Sequence, residues 1–101
     1  MIGREFRFHD GARGAALAVR IVTGTDKNEI RKVLKDGTVF VHLKGKPKNQ
    51  NLELINYLSS ELKISINRFD IIAGDDGNDK LLSINNIEPI QIQNLILEKI
   101  P

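Results

Sequence analysis

The chain has 101 residues, 41% of them hydrophobic and 28% charged, the size and make-up of one globular domain, not of a disordered or fibrous chain. It contains no cysteine, which excludes disulfides, thiolate nucleophiles and cysteine zinc sites. The net charge is only +2, yet residues 1–50 hold 11 Lys and Arg against 5 Asp and Glu, and residues 51–101 hold 4 against 8, an asymmetry that permits a basic face for an anionic partner.

The opening residues, MIGREFRFHDG, carry no apolar stretch of a signal segment, and no later run approaches the roughly 18 apolar residues of a membrane span. A cytoplasmic protein without membrane contact, expected to be a monomer, is the reading. Residues 5–9 (EFRFH) alternate and place Phe6 and Phe8 on one side of a strand. Residues 15–22 (AALAVRIV) alternate again, with Leu17, Val19 and Ile21 on one face and Ala16, Ala18, Arg20 and Val22 on the other. Asp10-Gly11 is a turn signal, so these two strands are expected to pair as a hairpin.

Gly24 breaks the alternation, and the segment over 26–37 (DKNEIRKVLKDG) reads two ways. It is one or two helical turns with Ile30, Val33 and Leu34 inward, or a short strand, because so short an apolar run does not settle the period. Residues 38–44 (TVFVHLK) form the clearest strand, with Val39, Val41 and Leu43 on its core face and Phe40, His42 and Lys44 opposite. The polar linker GKPKNQ leads into a helix over 51–62, where Leu52, Leu54, Ile55, Leu58 and Leu62 recur at helical spacing and Asn49 or Asn51 is the N-cap. Residues 68–73 and 80–84 read as strands joined by the Gly, Asp and Asn of residues 74–79, as a hairpin connection requires. A last helix begins at Asn86, with Pro89 near its first turn and Ile92, Leu95, Ile96 and Ile100 as its buried stripe.

The order β-β-(short element)-β-α-β-β-α predicts a single two-layer α+β domain with a mixed sheet. Two helices cover the face bearing Leu17, Val19, Val39, Val41 and Leu43. The opposite face, with Ala16, Ala18, Arg20, Phe40, His42 and Lys44, is left to solvent or to a partner.

The succession KNEI at Lys27–Ile30, TVFVHLK, KNQNLELINYLSSEL and GDDGNDK resembles the YggU family of small uncharacterised proteins over roughly residues 15–96, nearly the whole chain by the span of its elements. Lys48 and Asn51 match the Lys and Asn of that family's helix-start loop, and Gly74, Asp79 and Lys80 match the Gly, Asp and Lys of its later loop. Thr23 and Lys46 stand where the family has prolines, and Asp76-Gly77-Asn78 replaces Thr-Ser-Arg. The resemblance implies a helix-covered mixed sheet and no assigned biochemical function. It also directs attention to Asp79 and Lys80, which are expected to face Lys48 and Asn51.

Catalysis needs a matched acid, base or nucleophile held against a substrate. His9 has no Ser or acidic partner at a recognisable spacing and reads as an exposed strand histidine, and His42 reads as a surface or interface histidine, so no catalytic residue is assigned. Asp75, Asp76 and Asp79 invite calcium, but the frame and closing Glu of an EF-hand are missing, and turn dihedrals explain them. No metal or cofactor is expected. Lys46, Lys48, Asn49 and Asn51 at the start of the main helix form a rim suited to an anion, where lysines add to unsatisfied backbone N–H groups. With Lys27, Arg31, Phe40, His42 and Lys44 as a nucleic-acid surface, they predict a binding module for RNA or a phosphate-bearing ligand. Two alternatives are a protein–protein adaptor using the sheet face through Phe40 and His42, and an enzyme of small substrates using Asp79 and Lys80 as a coupled acid-base pair.

Overall fold

The computed structural model describes residues 14–74 and 76–101. Strands β1 (Gly14–Thr25), β2 (Glu29–Val33) and β3 (Val39–Lys44) lead to helix α1 (Gln50–Leu62), then strands β4 (Phe69–Ala73) and β5 (Asp79–Asn85) and helix α2 (Pro89–Lys99). The strands make one mixed sheet in the order β2-β3-β1-β5-β4, in which β1 runs parallel to β3 and the other pairs are antiparallel. This is the α+β class and element order expected. The strand over 5–9, with Phe6, Phe8 and its hairpin, lies outside the described residues.

Because side chains alternate along a strand, register fixes the faces. Val19 sits opposite Val39 and Ile21 opposite Val41, while Leu17 faces Leu82 and Ala15 faces Ile84. All eight are buried, and Leu54, Leu58 and Leu62 of α1 and Ile92 and Ile96 of α2 join the same core. Both helices therefore pack on this one face. Each fully buried Leu or Ile stabilises by roughly 1.5–3 kcal/mol over leaving it exposed, so these stripes hold the helices in place.

The ambiguous segment is strand β2. Ile30 is buried against Val41, and as a strand it also supplies ladder partners to the outer edge of β3, which a helix there could not. A bulge between Ile30 and Lys32 then places Lys32 opposite Phe40. β1 runs on to Thr25 through an irregularity after Val22, where Gly24 takes a φ of 78°.

Two helix details differ from expectation. Leu52 is 50% exposed, since its place in the first turn falls outside the stripe made by Leu54, Leu58 and Leu62. α2 starts at Pro89, not Asn86: Asn86 has a φ of 64°, a left-handed turn that no helix continues through. The Glu88 N–H donates to Gln91 Oε1 at 2.9 Å to begin the helix.

Candidate nucleic-acid interface

Five hydrogen bonds, two between backbone groups and three through side chains, gather the lysines. The Gly24 N–H donates to the Gly45 carbonyl at 2.7 Å and the Gly45 N–H to the Thr25 carbonyl at 3.2 Å. The Lys44 N–H donates to Asn28 Oδ1 at 2.8 Å, and Thr25 Oγ1 donates to the carbonyls of Lys27 and Leu43. The β1–β2 loop carrying Lys27 is thus stitched to the β3–α1 loop carrying Lys46 and Lys48. Parallel pairing of β1 and β3 makes this possible, because the carboxyl ends of both strands then lie at the same end of the sheet.

Lys27, Lys44, Lys46 and Lys48 are all exposed, and among the described residues none has an ion-pair partner. Arg31 is exposed but lies 3.7 Å from Glu29, so part of its charge is already answered. Asn49 is the N-cap of α1: its Oδ1 accepts from the Leu52 N–H at 3.0 Å. Together with Glu53 in the first turn, this occupies the helix start, so the rim's attraction for anions rests on the lysines and not on open amides. Asn51 follows, half-buried, one residue into the helix.

Asp79 and Lys80 do not form a coupled acid-base pair. As neighbours on β5 they point to opposite faces. Lys80 pairs in register with Val19, is 4% exposed, and donates through Nζ to the Gly74 carbonyl at 2.9 Å. Asp79 pairs with Arg20 and receives Arg20 Nε at 2.6 Å and Nη2 at 3.4 Å. The hydrogen bond and charge of Asp79 raise the Arg20 guanidinium further above its already high value. Asp79 thus faces away from the helix layer to which α1, and with it Asn51, belongs.

On the face opposite the helices, the register lines up Lys32, Phe40, Arg20 and Asp79 across β2, β3, β1 and β5. Lys32 Nζ lies 4.9 Å and the Arg20 guanidinium carbon 5.5 Å from the Phe40 ring centre, within cation–π range. Phe40, placed on the expected nucleic-acid surface, is therefore flanked by cations from both neighbouring strands. His42 is half-buried in the next row, opposite Glu29. Alternation within AALAVRIV puts Arg20 on this face and alternation within TVFVHLK puts Phe40 there, but neither segment signals that the two lie side by side. For Lys32 even the face has no such signal, because its direction depends on the bulge.

Among the described residues no group of three or more His, Asp and Glu could hold a metal ion, and no helix is long and apolar enough to cross a membrane. In comparison with known proteins, no family model matches the chain and no curated protein matches it.

Proposed function

We propose that this chain is a small RNA-binding module, a monomeric cytoplasmic relative of the YggU proteins, that holds phosphates on the rim formed by Lys27, Lys44, Lys46 and Lys48. One observation carries the reading: two loops from different parts of the chain are hydrogen-bonded together at the carboxyl end of β1 and β3, and the four lysines they bring there have no carboxylate partners among the described residues. Unpaired lysines on ordered loops release counterions when they meet a phosphate backbone, which favours a polyanion over a single charge. The split of Asp79 and Lys80 between two faces removes the motive for an acid-base reading of that strand.

Fluorescence anisotropy with labelled mixed-sequence RNA at low salt tests the proposal. Binding should weaken about tenfold or more in the double variant Lys46→Glu/Lys48→Glu, and its salt slope should fall by about 0.7 for each phosphate of a single strand that the rim no longer neutralises. Affinity indifferent to both charge reversals would sink it.

A further inference from the structure

Arg20 is exposed yet held on two sides. Asp79 grips one edge of its guanidinium at 2.6 and 3.4 Å, and the Phe40 ring lies 5.5 Å from its carbon. The side chain is nevertheless 47% exposed, and among the described residues its Nη1 has no partner. The carboxylate and the ring hold the guanidinium in place, with part of its surface and one nitrogen facing solvent on the side of the sheet no described helix covers. Lys44 lies on that same face, two residues beyond His42, and joins it to the lysine rim.

We infer that Arg20 is a pre-set stacking plate for an unpaired base, so that the module selects single-stranded RNA over duplex. The inference rests on the RNA-binding reading above. Guanidinium planes stack bases as aromatic rings do, and such stacking is open only to bases not already paired in a helix. The strand's phosphates then lie along Lys44 and the rim, while a base covers the open face of the Arg20 guanidinium and Nη1, in the guanidinium plane, donates to the adjacent phosphate. The positive charge on this half of the sheet comes from Lys32 and Lys44, because Arg20 is answered by Asp79 and lies near enough to Asp36 to feel its charge, while Glu29 is engaged by Arg31. Asp79, a negative charge on a surface that receives a polyanion, is explained as the group that orients the plate. Its fork fixes in advance a side chain that would otherwise lose rotamer freedom on binding.

The experiment compares a labelled single-stranded RNA of mixed sequence with the same RNA annealed to its complement, for wild type, Asp79→Ala, Arg20→Lys and Lys46→Glu/Lys48→Glu. Wild type should prefer the single strand by about tenfold, the effect of one stacked base. Asp79→Ala, although it removes a negative charge, should weaken single-strand binding several-fold and leave duplex binding the same or tighter. Arg20→Lys keeps the charge and should reproduce the loss, and both exposed-site variants should keep the wild-type circular dichroism. Tighter binding of both RNAs by Asp79→Ala, or equal affinity of wild type for both, overturns the stacking plate while the rim reading stands. Insensitivity of both RNAs to the lysine reversals, or no RNA binding by the folded protein, overturns the two together.

Discussion

Gly74 shows how one residue sets a loop. Its φ is 81°, and a Cβ there would run into the backbone oxygen of Asp79, while its own carbonyl receives the Lys80 amine and the Gly77 N–H. Left-handed backbone costs an L-residue roughly 1–2 kcal/mol, and the collision with backbone adds to it. Gly74→Ala should therefore destabilise the fold by about 2 kcal/mol or more, read as a lower urea midpoint with unchanged slope. A loss under about 0.5 kcal/mol, the range of ordinary surface changes, would show that the loop relaxes freely. Asp79 makes the complementary point: its neighbour in sequence, Lys80, serves the core face, and its working partner is Arg20, 59 residues away.

At the level of elements, α1 reads cleanly because its signals are local. Asn49 caps it, Leu54, Leu58 and Leu62 make its buried stripe, and Lys63 ends it with a φ of 58° and its N–H on the Ser59 carbonyl. A left-handed C-terminal residue is a glycine position occupied here by lysine. Lys63→Gly should raise stability by up to about 1 kcal/mol, seen as a higher melting temperature; a lower one would mean that the Lys63 stem packs usefully against the helix end. β2 is the opposite case. Its five residues, EIRKV, carry too little periodic signal to separate strand from helix, and the open edge of β3 makes the choice. The bulge that follows Ile30 then decides where Lys32 goes, which no alternation rule anticipates.

For the molecule as a whole, the single tyrosine reports on the packing of the helix layer. Burial, and then the charge of Glu61, push the Tyr57 hydroxyl from 10.0 up to about 12. A group whose value is raised by folding contributes stability that is complete below its unfolded value and is lost as pH rises through its folded one. Tyr57 should thus begin to destabilise the fold above pH 10 and reach its full effect beyond about 12. Tyrosinate absorbance should titrate near 12 in the native protein and near 10 in denaturant, and Tyr57→Phe should lose that part of the alkaline sensitivity; a native midpoint at 10 would place the ring in open water. Alternation in AALAVRIV and TVFVHLK, and the leucine spacing of α1, assigned the two faces and most of the core, because side-chain direction follows from the backbone period within each segment. The order β2-β3-β1-β5-β4, the stitching of Lys27 beside Lys46, the parting of Asp79 from Lys80's role and the row from Lys32 to Asp79 came with assembly. Each depends on which strand lies next to which and in what register, and that is set by hydrogen-bond pairing and core packing between segments far apart in the chain.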